Sequence, residues 1–296
     1  MTTPPLGRFG IWTGVLDGVP LGEAREVVAE LDEQGWGSLW FGEAYGREAM
    51  TAAQAWLGAS RRMAIGTGIA SIYARDAVST AAAARTLEAA YPGRFVLGLG
   101  VSHAPLVERM RGHSYGRPVT AMREFLDALD RAPAAVPGEQ SLPPVVLAAL
   151  GPRMLGLARD RTAGAHPYLV TPEYTAGARA ELGAGPLLVV EQAAVVDPDA
   201  DGDEWRRRAH DHLNIYTGLP NYRGSWVRQG FSDDDFVRGG SDRLKAALVT
   251  HGLETTVARA HEHLDAGADT VLIQVLGPAV AVPPRSDWAA LAHALL

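Results

Sequence analysis

Five short apolar runs recur along this chain, each ending at a small residue beside a polar one, and helix-forming stretches separate them. Parallel strands that are buried on both faces have this continuous apolar character, and their alternation with helices is typical of a parallel sheet closed into a barrel. The length of 296 residues fits one such barrel. The sequence therefore predicts a single α/β domain, a (β/α)8 TIM barrel over residues 1–296, with its functional groups where the strands end. The five runs are 10–13, 38–43, 64–69, 95–100 and 145–151.

Eight strands are predicted, at residues 9–13, 38–42, 63–69, 95–100, 145–150, 166–170, 187–196 and 270–276. The alternation of strands and helices is interrupted at roughly residues 218–240, between the seventh and eighth strands. This segment is too long and too aromatic for a simple barrel turn. This insertion is either a lid over the functional site or a packing patch under extra helices. Aromatic loops on barrels are more often packing, which favours the second interpretation. Helix-like pieces at 242–250 and 254–266 precede the last strand.

Composition limits the classes of function. The 27 lysines and arginines are scattered in a chain of net charge -7, which argues against nucleic-acid binding and against a polybasic membrane surface. The absence of cysteine excludes disulfides, thiolate nucleophiles and zinc–thiolate sites. No apolar run approaches the ~20 residues of a membrane span, and residues 1–9 lack the pattern of a signal peptide. We expect a cytoplasmic protein with a small-molecule substrate and no nucleic-acid or membrane partner.

Glu43 closes the second strand, so its carboxylate should point toward the mouth of the barrel. A general acid, a general base or a hydrogen-bond partner of a bound ring fits this position. A helix N-cap or an ion pair with Arg47 fits it equally well. At the end of the third strand, Gly66 and Gly68 indicate either a bulge with close backbone approach or relief of crowding against the next strand.

The fourth strand runs into Gly100, Val101, Ser102 and His103. Small residues at this point let a flat molecule approach the backbone, and a histidine there can exchange a proton near neutral pH. A lone histidine in a rim loop is more often solvated or hydrogen-bonded, so the catalytic interpretation of His103 is the less common one.

The fifth strand ends at Leu150 and Gly151, and Pro152 suits the first position of the next helix. The free backbone N–H groups of such a helix start favour anions, and Arg153 adds positive charge unless it only faces solvent. TIM barrels bind phosphate more often after strands seven and eight, so an anion site here is atypical.

Other residues at the strand ends are weaker candidates for the site than those above. Separately, two histidine-containing triplets, 210–212 and 261–263, look like metal motifs. Side chains at i and i+2 on a helix point in different directions, so both triplets are rejected and no metal is expected. The further rim candidates are Trp12, Tyr73, His166, Glu191, Gln192 and Gln274.

Several sequence blocks stand in a consistent order. They are YPGRFVLGLG at 91–100, LAALGPRM at 147–154 continuing to 158, LPNY at 219–222 with GF at 230–231, GGSDRL at 239–244 and AGAD at 266–269. Through these blocks the chain resembles, over nearly its whole length, the luciferase-like (bacterial luciferase-type) flavin and deazaflavin oxidoreductases, specifically the actinobacterial branch that uses coenzyme F-420.

The resemblance implies a barrel whose mouth holds the tricyclic ring of the cofactor. It implies a non-proline cis peptide at Gly68-Ile69 that backs the ring, and a cofactor phosphate that rests on the backbone after the fifth strand. The expected cofactor-binding residues are Trp12, Glu43, Gly68, Ile69, Ser71, Val101, Ser102, Leu150, Gly151, Arg153 and Met154.

The chain departs from the sugar-phosphate dehydrogenase members of this family. Their acid and catalytic histidine at the end of strand two match Glu43 and Ala44 here, and their glutamate after strand four matches His103. Oxidation of glucose 6-phosphate is therefore not expected. Glu43 and His103 are the candidate catalytic residues, with His103 protonating a substrate that receives hydride.

The leading hypothesis is an F-420-dependent oxidoreductase that moves hydride between the deazaflavin and a small organic substrate. One alternative is an FMN-dependent two-component monooxygenase of the same fold, supplied by a separate reductase. Another is a barrel that binds a flavin or deazaflavin without turnover. The resemblance also implies a homodimer through helices two and three, although the alanine-rich stretch at 77–90 fits ordinary barrel packing equally well.

Overall fold

The computed structural model describes residues 6–135, 137–138 and 141–296. Its strands are β1 (Phe9–Trp12), β2 (Ser38–Phe41), β3 (Ala64–Thr67), β4 (Ala70–Ser71), β5 (Phe95–Gly100), β6 (Val145–Leu147), β7 (Gly164–Ala165), β8 (Leu187–Val195), β9 (Val249–His251) and β10 (Thr270–Val275). Eight of them pair in parallel in the order β1, β2, β3, β5, β6, β7, β8 and β10, and β10 returns to β1. This closed barrel confirms the predicted fold. The two further strands pair with single members of the barrel, β4 with β5 and β9 with the end of β8.

Helices surround the barrel. They are α1 (Leu21–Gln34), α2 (Ala49–Ala59), α3 (Ala77–Ala90), α4 (Pro118–Asp130), α5 (Pro152–Arg161), α6 (Pro172–Leu182), α7 (Gly202–Leu213), α8 (Pro220–Arg228), α9 (Asp242–Leu248), α10 (Leu253–Asp265) and α11 (Arg285–Leu295). Their ends follow local rules: the Glu48 carboxylate caps α2, Asp76 caps α3, and Gly35 ends α1 with a left-handed φ of 95°. Short 3-10 turns lie at Val15–Gly18, Tyr216–Gly218 and Asp233–Phe236, and a π-helix at Pro105–Met110.

The interior of the barrel is a packed core rather than a pore. Trp40 and the strand residues Ala64, Val96, Val146, Val189 and Leu272 fill it and are fully buried. The outward-facing strand residues pack separately against the surrounding helices. Because the interior is closed in this way, a ligand can reach the barrel only at an end of the strands.

Two local predictions were wrong. Residues 166–170 are not a strand, because β7 ends at Ala165, Pro167 has no N–H to donate to a neighbouring strand, and Leu169 takes a left-handed φ of 55°. The helix-like piece at 242–250 ends at Leu248, and the chain then forms β9.

The segment between β8 and β9 forms a second apolar cluster at the carboxyl end of β8. Tyr222, Trp226 and Phe236 are buried in it together with Leu169 from the loop after β7. The Trp226 indole N–H donates to Leu169 O at 3.0 Å. The aromatic part of the insertion is therefore packed on the rim of the barrel.

Candidate functional site

The carboxyl ends of the strands form a mouth whose lining is neither fully buried nor fully exposed. The partly exposed residues include Trp12 on β1, Gly42 and Glu43 after β2, Gly68 and Ile69 after β3, Val101, Ser102 and His103 after β5, and Leu150 and Gly151 after β6. Neighbouring strand ends are tied to one another, since Glu43 N donates to Ile69 O at 3.0 Å. The strand-end residues predicted to gather, from Glu43 to Gly151, thus share one end of the barrel.

A cis peptide joins Gly68 and Ile69, at the position that the resemblance implied. The Trp12 indole N–H donates to Gly68 O at 3.0 Å. A Cβ on Gly68 would lie 2.7 Å from Trp12 Nε1 and 3.0 Å from His166 Nε2. Position 68 therefore has no room for a side chain, and we call the partly exposed backbone of Gly68 and Ile69, beside Trp12, the cradle.

The side chain of Glu43 is buried, with 4% of it exposed, although the residue as a whole is partly exposed, and its carboxylate is fully engaged. It accepts hydrogen bonds from Ser71 N at 2.9 Å and Ala49 N at 3.2 Å, and it forms an ion pair with Arg75. The alternative pairing with Arg47 is wrong, because that guanidinium donates to Val19 O at 2.6 Å. These contacts join β2, β4 and α2, which fits a positioning residue better than a group that exchanges protons.

The His103 side chain, in contrast to that of Glu43, makes few polar contacts with the protein. Its ring is half-buried and contacts the Tyr222 ring at 5.8 Å between centroids. Within the described part of the chain, its ring nitrogens have no hydrogen-bond partner. Burial lowers the pKa of His103, so the imidazole is neutral near neutral pH and is free to bond to a bound molecule. The neighbouring Ser102 takes a left-handed φ of 55°, and its carbonyl accepts from the Tyr115 hydroxyl at 3.2 Å.

The end of β6 brings together only part of the expected anion site. Gly151 is the N-cap of α5 and has no side-chain cap, and Pro152 follows it. The Arg228 guanidinium donates to Leu150 O at 2.8 Å and lies 3.8 Å from where a Cβ of Gly151 would be. Sequence reasoning missed this cation, because Arg228 comes from the distant helix α8.

Three of the expected cofactor residues do not present their side chains to the mouth. Arg153 is exposed and lines a groove between α4 and α5 with Arg123. Met154 is buried in the core. Ser71 is also buried, and its hydroxyl accepts from Tyr73 N at 3.3 Å.

An aromatic wall faces Trp12 and was missed by the sequence reasoning. We use this name for Tyr168, His212, Tyr216 and Tyr222. The Tyr168 ring lies 5.2 Å from Trp12 and 5.6 Å from Tyr216 between centroids. The aromatic composition of the insertion is the signal that could have found Tyr222. Tyr216 lies just before the insertion, and Tyr168 was hidden inside a wrongly predicted strand.

Two buried polar groups lie below the wall. His166 Nδ1 contacts Val189 O at 2.8 Å, and burial lowers the pKa of His166 to about 4. Glu191 accepts from Leu169 N at 3.0 Å, and burial raises its pKa to about 8. His166 Nε2 and Glu191 Oε1 have no partner among the described residues. Both groups are therefore neutral at neutral pH.

The remaining candidates have other partners. Gln274 Oε1 accepts a hydrogen bond from the Tyr168 hydroxyl at 2.6 Å, and the Tyr73 ring lies 5.9 Å from the Tyr115 ring between centroids, tilted by 36°. Gln192 faces the helical layer, where its Oε1 lies 3.1 Å from His263 Nε2. That contact places one histidine of the triplet 261–263 in the core.

Two kinds of site are absent from the described residues. None of the His, Asp and Glu side chains in them form a cluster of three or more that could hold a metal. Among the helices they form, none has both the length and the apolar character that crossing a bilayer requires.

Solved structures share the fold over nearly the full chain. An F-420-dependent secondary alcohol dehydrogenase, solved with an F-420–acetone adduct, has a TM-score of 0.71 at 14% identity and covers 98% of this chain and 99% of its own. The coenzyme F-420-dependent tetrahydromethanopterin reductase from Methanopyrus kandleri has a TM-score of 0.70 at 17% identity, covering 96% and 97%. The oxygenating constituent of 3,6-diketocamphane monooxygenase from Pseudomonas putida, solved with FMN, has a TM-score of 0.70 at 12% identity, covering 97% and 98%.

Sequence relatives match more locally. A Mycobacterium tuberculosis protein, whose name proposes a coenzyme F-420-dependent oxidoreductase, is 32% identical over 120 residues, which are 40% of this chain and 35% of that protein. An uncharacterized protein of the same species is 32% identical over 109 residues, 37% of this chain and 32% of its own. The match thus spans about a third of the length of these curated relatives. The sequence model of the luciferase-like monooxygenase family matches residues 7–266, so the chain belongs to that family.

Proposed function

We propose that the protein is an oxidoreductase that binds coenzyme F-420 in the mouth of the barrel and acts on a small organic substrate. The observation that carries this proposal is the cradle at Gly68, which lies beside the Trp12 indole on a rim of half-buried residues. Family membership and the relative named for F-420 support it. Bound there, the deazaflavin would supply the hydride-transfer chemistry.

The protein's own part is binding and orientation. Trp12, Gly68 and Ile69 would back the ring, with Val101 and Ser102 beside it. The backbone N–H of Arg153 would hold a phosphate, because it has no partner among the described residues, whereas Pro152 has no N–H and Met154 N already donates to Gly151 O at 3.0 Å. The Arg228 guanidinium lies close enough to add charge. Glu43 positions this side of the mouth, because it ties the end of β2 to β4 and α2.

His103 is the proposed proton-exchanging residue. Its imidazole is half-buried and without a partner in the described residues, and burial favours its neutral form. A neutral imidazole accepts a proton from a substrate hydroxyl, which suits oxidation; in the reducing direction it must first be protonated. The sequence-based hypothesis assigned it the second role.

The test is a titration of the protein with F-420 and with FMN, followed by tryptophan fluorescence, since Trp12 lies at the cradle. We expect F-420 to bind more tightly; tighter binding of FMN would instead support the two-component monooxygenase. Turnover is then followed by deazaflavin absorbance with a panel of neutral alcohols and ketones. F-420 binding without any turnover would support the non-catalytic alternative.

The role of His103 is tested by His103→Asn, with His113→Asn as the matched control at an exposed position. We expect His103→Asn to lower kcat/KM by about 10²–10⁴-fold and to leave the Kd for F-420 unchanged. Full turnover by His103→Asn would remove His103 from this role. The predicted homodimer through α2 and α3 is checked separately by analytical ultracentrifugation.

A further inference from the structure

The aromatic wall connects the two parts of the proposed site. Its rings contact one another, with centroids 5.6 Å apart between Tyr168 and Tyr216 and 4.8 Å apart between Tyr216 and Tyr222. At one end Tyr168 contacts Trp12 at 5.2 Å, and at the other Tyr222 contacts His103 at 5.8 Å. A molecule lying between the cradle and the proposed proton-exchanging residue would therefore lie against these rings.

The polar atoms of the wall have hydrogen-bonding capacity left. The Tyr168 hydroxyl donates to Gln274 Oε1 at 2.6 Å. The Tyr216 hydroxyl and His212 Nε2 each lie 3.5 Å from the Tyr168 oxygen, which is at the limit of a hydrogen bond. Tyr168, His212 and Tyr216 are all partly exposed. Tyr216 and His212 can therefore form shorter bonds to an oxygen atom of a bound molecule.

The wall carries no charge near neutral pH. Burial raises the pKa of Tyr216 to about 12 and lowers that of His212 to about 4. Arg75 is paired with the Glu43 carboxylate, and Arg111 and Arg228 donate to the carbonyls of Ala44 and Leu150. Among the described residues, none of these arginines bonds to a member of the wall. A carboxylate or phosphate on the substrate would lose its hydration against the wall without gaining an ion pair.

We propose that the aromatic wall is the substrate side of the mouth and takes a neutral, mainly apolar or aromatic molecule whose carbonyl or hydroxyl oxygen bonds to Tyr216 and His212. This inference rests on the proposed function, because it calls the bound molecule a substrate. Binding to the wall is nevertheless measured independently of turnover. Through Tyr222 the insertion then contributes to specificity, and is not solely a packing patch.

The experiment is calorimetric titration of the F-420-loaded protein, and of the protein without F-420, with acetophenone and with 4-acetylbenzoate. The two probes share a ring and a ketone, and the second adds a carboxylate. We expect 4-acetylbenzoate to bind at least about tenfold more weakly. Tyr216→Phe should weaken acetophenone binding by roughly fivefold, the effect of one net hydrogen bond, and leave the Kd for F-420 unchanged.

Tyr91→Phe is the matched control, because the Tyr91 hydroxyl accepts a hydrogen bond from the Gln54 amide at 2.9 Å, at the end of α3 remote from the mouth. His212→Asn is the second variant, so the test does not depend on the folding of one protein. Equal affinity for the two probes, full acetophenone affinity in both wall variants, or no acetophenone binding to the folded protein would overturn the inference. If F-420 fails to bind while the probes follow the expected order, the proposed function fails and the wall assignment stands.

Discussion

The replacement of Glu191 by glutamine tests the electrostatics of the mouth most directly. Glu191 is completely buried on β8; one carboxylate oxygen accepts from Leu169 N at 3.0 Å, and the other has no partner in the described residues. No arginine or lysine ion pair compensates it within that part of the structure. Glutamine has the same shape and keeps an acceptor oxygen for Leu169, so Glu191→Gln removes the ionisation with little change in packing.

The expected change in stability follows from the pKa values of this carboxyl in the unfolded chain and in the folded protein. Burial raises the pKa from 4.5 to about 8, and each pKa unit corresponds to ~1.4 kcal/mol. Above pH 4.5 the unfolded chain releases this proton while the folded protein keeps it, so the free energy of unfolding falls as pH rises and levels off above pH 8. Between about pH 5 and about pH 9 the parent protein should lose about 4 kcal/mol of stability relative to Glu191→Gln.

The assay is urea unfolding of both proteins over that pH range, with infrared titration of the protonated carboxyl stretch. The stretch should disappear with a midpoint near pH 8 in the parent protein and be absent from Glu191→Gln. Glu173→Gln serves as the control, because a hydrogen bond from its own backbone N–H lowers the pKa of Glu173 and gives the opposite, smaller trend. Parallel stability curves for the parent and Glu191→Gln would refute the reasoning.

Two further predictions concern the cofactor side of the mouth. Gly68→Ala places a Cβ 2.7 Å from Trp12 Nε1, so it should raise the Kd for F-420 at least about tenfold; Gly177→Ala, which meets open space on α6, should leave that Kd unchanged and stabilise the fold by up to ~1 kcal/mol. Arg75→Gln leaves the buried Glu43 carboxylate without its cation and should lower the free energy of unfolding by about 3 kcal/mol. Fluorescence titrations measure the Kd of Gly68→Ala, and denaturation curves measure the stability of Arg75→Gln. An unchanged Kd in the first variant, or an unchanged free energy of unfolding in the second, would contradict the corresponding assignment.

The barrel could be predicted because each of its strands can be recognised from its own residues. Each strand is a short run buried on both faces, and its apolar character does not depend on which strand lies beside it. The prediction failed where a local run did not decide the structure. Residues 166–170 have suitable composition, but Pro167 cannot donate to a ladder and Leu169 takes a left-handed φ.

The site was less predictable, because its contacts join residues that are distant in sequence. Glu43 meets Arg75, 32 residues later, and Leu150 meets Arg228, 78 residues later. No spacing rule connects such pairs in a single sequence. Gly68-Ile69 was the exception, since a family resemblance supplied a backbone feature that composition cannot give.

The two sides of the mouth are built from different kinds of structure, and this separation has a functional consequence. The proposed cofactor side consists of strand ends and backbone groups, held by the Glu43 carboxylate through β2, β4 and α2. The opposite side is the aromatic wall, whose side chains come from the loop after β7, from α7 and from the segment that follows α7. Changes in Tyr216 or Tyr222 can therefore alter which molecule binds without moving the Gly68 cradle. Solved structures share this fold with the chain at only 12–17% identity, and the proposed arrangement would let substrate preference change while the proposed means of holding a cofactor stays in place.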